Sequence, residues 1–164
     1  MIEVLLVAAI FLIILFMALT VMHRGMTFFW TASASASLQE NARKALDRMA
    51  TDLRGTGLSI ITDSLGQPLV EGEDYQEIRF RRNPGYRNPD IPWDEGEAII
   101  YRLDEGVLVR IENGDPTEIV HNVEALSFTL QGSKIVIRVE LEDIDYNRRR
   151  LEVSEETTVY LRNP

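Results

Sequence analysis

Glu3 is the only charged residue in an apolar run that extends to Met22. A carboxylate inside a membrane-length segment costs about 2.5–3.5 kcal/mol on insertion scales, so it is read as functional by default. A plain anchor has no use for it, whereas a helix that must find a cation on a neighbouring helix does. The bland alternative is a carboxylate that snorkels at the membrane surface. Asp143, Asp145 and Asn147 stand in D-x-D-x-N spacing, which can offer oxygens to calcium. That stretch lacks the glycine and distal Glu of an EF-hand loop and falls where a hairpin turn is expected. It is therefore read as a turn, with calcium the weaker alternative and no cofactor expected. Arg148-Arg149-Arg150 forms a basic spot, either a solvated strand start or a contact for an acidic partner. His23 and His121 are far apart, and Ser33, Ser35 and Ser37 have no base nearby. No nucleophile elbow, phosphate loop or H-E-x-x-H pattern is present, so no enzyme is expected.

The elements that must position these residues begin with the apolar run. Residues 1–22 make a helix of about 33 Å at ~1.5 Å per residue, matching a hydrocarbon core of about 30 Å. Ile2, Val4, Leu5, Leu6, Ile10, Leu12, Ile13 and Phe16 supply its packing surface, against lipid or against other helices. A cleavable signal is the rival reading, because Ala32-Ser33-Ala34 and Ala34-Ser35-Ala36 resemble cleavage sites. The run has no basic leader and exceeds the usual 7–15 apolar residues, which favours the anchor. His23-Arg24 follow the run, and the positive-inside rule taken literally places the rest of the chain in the cytoplasm; a basic leader ahead of Met1 reverses that orientation.

Helical period continues beyond the span. Leu38, Ala42, Ala45, Leu46, Met49 and Leu53 recur at three- and four-residue steps, while Gln39, Glu40, Arg43, Lys44, Asp47, Arg48 and Asp52 are assigned to the polar face. Gly55-Thr56-Gly57 is expected to stop the helix through C-cap glycines. The expectation is one helix over about 2–54, with a soft joint near Gly25. Short alternating runs follow: Gln76–Arg82, Glu97–Leu103, Gly106–Glu112, Glu118–Leu130, Lys134–Glu142 and Arg150–Leu161. The fold class is α+β, with the long helix across one face of an antiparallel sheet of about five or six strands. Three segments result: a transmembrane assembly helix over 1–24, its amphipathic continuation over 25–57, and a sheet domain over 58–164. Residues 83–96, rich in Pro and Gly, read as an irregular loop. Within it Trp93, with Tyr86, is a candidate partner contact, or a simple cover for the sheet.

Charge narrows the function classes. The 164 residues carry a formal net charge of −9. Glu3 and Arg24 are the only charged residues before Ala32 and cancel, so the acidity belongs to the later domain. That argues against direct nucleic-acid binding, which needs clustered cations. The absence of cysteine excludes disulfides, thiolate catalysis and Cys-based zinc sites.

The opening Ile2-Glu3-Val4-Leu5-Leu6-Val7-Ala8 resembles the class III signal region of type IV pilins and type II secretion pseudopilins. Leu38-Gln39-Glu40-Asn41-Ala42-Arg43 and Asp52-Leu53-Arg54-Gly55-Thr56-Gly57 resemble the end of the long helix in PilW-type minor pilins. Tyr101-Arg102-Leu103, Gly106–Arg110, Asn122–Phe128 and Thr158–Asn163 resemble the sheet of that branch, or of pseudopilin J. The sequence lacks the family's Gly-Phe-Thr stretch and basic leader, and Met1 stands where Leu is usual; an upstream start, a trimmed start and an unprocessed protein all stay open.

The resemblance implies a pilin fold and a single-pass protein of the bacterial inner membrane with a periplasmic domain, later moving into a pilus or pseudopilus. It implies that Glu3 attracts the N-terminal ammonium of an adjacent subunit. It implies as partners other minor and major pilins or pseudopilins, a prepilin peptidase, an inner-membrane assembly platform, a cytoplasmic assembly ATPase and membrane lipid. The expected function is a structural minor pilin that helps initiate or cap a type IV pilus; a type II secretion minor pseudopilin is the alternative. A single-span periplasmic sensor or binding domain, without filament assembly, is the alternative of another class.

Overall fold

The computed structural model describes residues 2–56, 61–82, 97–145 and 148–161. A single helix, α1, runs from Ile2 to Arg54. It passes through Gly25 without interruption, so the softer propensity expected there does not break it. A glycine interior to a helix costs about 1 kcal/mol relative to alanine, which the flanking turns absorb. The helix ends without a left-handed cap at Gly55, which is absent from the positive-φ residues. Instead Gly55 N and Thr56 N donate to Asp52 O and Leu53 O, closing two tight turns at 3.3 and 3.0 Å. Gly57 lies outside the described residues.

Among the described residues eight strands follow, rather than five or six, and they form two sheets. The first sheet has the order β1-β6-β7-β8, from Asp74–Tyr75, Val123–Gln131, Lys134–Ile144 and Arg150–Tyr160. The second has the order β2-β3-β4-β5, from Glu77–Arg82, Glu97–Asp104, Val107–Glu112 and Asp115–Val120. All named pairings are antiparallel. The class is α+β, as the sequence pattern indicates.

One residue explains most of the difference in sheet count. The run Glu118–Leu130 is not one strand. Asn122 adopts φ +63° and splits it; asparagine tolerates this left-handed conformation better than most residues. The first half finishes β5 of one sheet, and the second half starts β6 of the other. The break is stitched by Val123 N to Gly106 O at 2.9 Å and Glu142 N to Asn122 O at 2.8 Å. The turn Asn113-Gly114, with φ +52° and +96°, makes the β4–β5 hairpin. Both residues need positive φ in a type I′ turn, the geometry that Asn-Gly favours.

A single hydrophobic cluster joins the layers. Leu38, Ala42, Ala45, Leu46, Met49 and Leu53 of α1 are buried, as their spacing predicts. They meet Ile135, Ile137, Val139 and Leu141 of β7 and Ile78, Ile99 and Leu108 of the second sheet in that cluster. The odd-numbered residues of β7 face inward and the even-numbered ones are more exposed, which is the period-two signature of a half-buried strand.

Candidate functional site

The first half of α1 packs against none of the other described residues. From Ile2 to Trp30 every residue is exposed except Thr20 and Thr27, which are intermediate. Ile2, Val4, Leu5, Leu6, Ile10, Leu12, Ile13 and Phe16 are each 50–81 % exposed. This is the one helix among the described residues long and apolar enough to cross a membrane, with mean hydropathy 3.2 over its most apolar stretch. A helix apolar on every side needs an apolar surround. Glu3 lies in its first turn, on the same stripe as Val7 and Phe11, and forms no ion pair with the described residues.

The other end of the same helix carries the opposite arrangement. Asp52 was assigned to the polar face, and the structure corrects this: its residue is 1 % exposed. Its spacing from Met49 and Leu53 places it inside the buried arc. Tyr101 Oη donates to Asp52 Oδ2 at 2.8 Å, and Arg110 Nε donates to the same oxygen at 2.7 Å. Arg82 Nη1 donates to Oδ1 at 3.1 Å. Glu112 joins the far side, accepting from Arg110 Nη1 at 2.6 Å and Arg82 Nη2 at 3.1 Å. A carboxylate in the last turn of a helix faces the negative end of the macrodipole, so it needs cations to stay there.

The backbone makes room for this cluster. Tyr101 and Arg110 are directly paired across β3 and β4 and point to the same inward face. The Arg82 stem runs past the helix end at Gly55, close enough that a Cβ there would touch Arg82 Cγ at 3.4 Å. Tyr101 also stacks on Phe80 with ring centroids 6.2 Å apart. Burial first, then the Asp52 charge, raise the Tyr101 phenol above its ordinary value. The Glu112 hydrogen bond, followed by that of Asp52, raises Arg110 against the cost of desolvation. Both side chains therefore hold their protons and serve as donors. The cluster ties the end of α1 to the second sheet. Its sequence signal was a charged pair, Asp52 and Arg110, at positions that the helical and strand periods send inward.

The two carboxylates of the D-x-D-x-N stretch accept hydrogen bonds from within the chain. Asp145 is buried; its Oδ2 accepts from Thr31 Oγ1 at 2.9 Å and its Oδ1 from Arg149 N at 2.8 Å. Asp143 Oδ1 accepts from Ile144 N at 2.8 Å. The two carboxylates thus organise the β7–β8 turn and fasten it to the helix. No group of three or more His, Cys, Asp or Glu among the described residues is placed to hold a metal. Asn147, Tyr86, Trp93 and the loop 83–96 lie outside the described residues. Arg150 is drawn into ion pairs with Glu142 and Glu152, both at 2.7 Å. No protein-family model matches this chain, and no curated protein matches its sequence.

Proposed function

We propose that this chain is a structural subunit of a type IV pilus, a minor pilin that helps initiate or cap the filament. It does so from the bacterial inner membrane with its domain in the periplasm. A minor pseudopilin of type II secretion uses the same parts and is the alternative within this class. The observation that carries the reading is the exposed all-apolar half of α1, with Glu3 as its one acidic group, rigidly continuous with a half packed into a folded domain. The opening motif around Glu3 and the resemblance along the later chain support it.

In this reading the span first sits in lipid, with an unpaired carboxylate near its start. Pairing Glu3 with a cation on a neighbouring helix removes that cost, so association is favoured over free diffusion. The apolar surfaces then cover one another outside the bilayer. The partners are other minor and major pilins, a prepilin peptidase, an assembly platform and its ATPase. The domain selects neighbours, and no chemistry is asked of it.

The test is mass spectrometry of the N-terminal peptide from protein isolated from its native membrane. The expected result is a methylated residue upstream of Met1 with a leader removed. An unmodified start at Met1 would favour a membrane-anchored binding domain instead.

A further inference from the structure

We propose that Ile144, Arg148 and Arg149, the described residues where β7 gives way to β8, form a second membrane contact, which docks the domain onto an anionic phospholipid surface beside the helix. The inference rests on the membrane-spanning reading of α1 and adds to it a face of the folded domain. Three observations converge on one height along the helix.

The first is an aromatic collar above the span. Phe28, Phe29 and Trp30 are 76, 67 and 58 % exposed, and Phe29 and Trp30 touch edge to face with centroids 6.1 Å apart. From Met22, where the apolar run ends, to Trp30 the helix rises about 12 Å at ~1.5 Å per residue, which sets the collar on the headgroup side of the span. Large aromatics at this level are the usual interfacial anchors.

The second is the position of the turn. The Asp145–Thr31 hydrogen bond fastens it to the residue directly after Trp30. Asp145 is buried in making this contact, so the turn is held at the collar's level. Ile144, the large apolar residue beside it, is 66 % exposed and gains nothing from the domain core.

The third is charge. Arg148 and Arg149 are exposed and form no ion pair among the described residues, whereas Arg150 is neutralised by Glu142 and Glu152. In a chain of net charge −9, these two guanidinium groups stand beside an exposed isoleucine and an aromatic collar. They suit lipid phosphates, which arginine binds through paired donors. Arg24, about 10 Å below Thr31 along the helix, adds a further cation at the same edge. In the membrane this second contact fixes which way the domain leans. Extraction into a filament must break it.

The chain has no cysteine, so Ile144→Cys gives a single labelling site for a polarity-sensitive fluorophore. The full chain is reconstituted into vesicles of phosphatidylcholine, with and without phosphatidylglycerol. Trp93→Phe leaves Trp30 as the only tryptophan, so quenching by brominated lipid reports insertion of the helix. The expected result is a blue-shifted label that grows with phosphatidylglycerol content and reverts in high salt. Arg148→Gln with Arg149→Gln should lower the docked-to-undocked ratio roughly 30-fold while Trp30 quenching stays unchanged. A label that stays in water in both lipids, with Trp30 quenched, overturns the docking. A label buried in proportion to protein density, whatever the lipid charge, overturns it in favour of a second copy. Loss of Trp30 quenching itself overturns the membrane-spanning reading along with it.

Discussion

Glu3 and Asp52 are both carboxylates on one unbroken helix, in its first and last turns. Glu3 is exposed and unpaired among the described residues; Asp52 is enclosed by Tyr101, Arg110 and Arg82. The helix around them differs in the same sense. Around Glu3 it is apolar on every side and touches no other element among the described residues. Around Asp52 it is amphipathic and buries one face, with Ala42, Ala45 and Ala50 letting the sheets approach closely. The second half has satisfied its surface within the chain, and the first half has deferred that to something outside. Under the proposed function, the unsatisfied carboxylate marks the half that would assemble and the satisfied one the half that holds the domain.

The sharpest way to break this comparison is to delete each carboxylate and measure unfolding of the domain by denaturant, with the full chain in detergent. Asp52→Ala takes one of two carboxylate partners from the buried Arg110, leaving Glu112 alone, and should cost about 3–5 kcal/mol. Glu3→Ala should leave the midpoint where it was. Equal losses for the two would mean that the halves are not energetically separate. A second contrast uses apolar residues. Leu53→Ala, which empties a fully buried site, should cost about 2–5 kcal/mol. Leu12→Ala, at an exposed site, should shift domain stability by less than about 0.5 kcal/mol.

A smaller effect sharpens the picture of the Asp52 cluster. Tyr101→Phe removes one donor to a charged acceptor and should cost about 1.5–3 kcal/mol. It should also change the pH profile. The folded phenol is raised above its unfolded value of 10.0, so the stability it contributes is fully present below pH 10 and is lost as pH rises further. Wild type should therefore weaken above about pH 10 more steeply than the phenylalanine variant. Parallel alkaline limbs would show that the phenol is not held protonated in the fold.

The sequence made the long helix, its boundary near Arg54 and its buried residues readable, because a 3.6-residue apolar period over several turns leaves few alternatives. Most strands were readable for the corresponding reason. The division into two sheets was not, because it turns on the conformation of Asn122, and nothing in the alternation of Glu118–Leu130 marks a change of sheet. The β4–β5 hairpin does carry a local signal, the Asn113-Gly114 pair that favours a type I′ turn. The polar cluster escaped notice because Asp52, Tyr101 and Arg110 lie on three elements, and a single charged residue on a helix is assigned outward by habit. The D-x-D-x-N stretch was readable as a turn, but the tie from Asp145 to Thr31 was not, because the two lie 114 residues apart.

The central claim is that the exposed half of α1 is an assembly surface switched by Glu3. The most direct test compares wild type with Glu3→Ala and Glu3→Lys in a native host, measuring the share of each chain in sheared filaments and in the membrane. The account predicts that both variants reach the membrane with a folded domain and are lost from the filament fraction. Recovery of both variants in filaments at the wild-type level would contradict it.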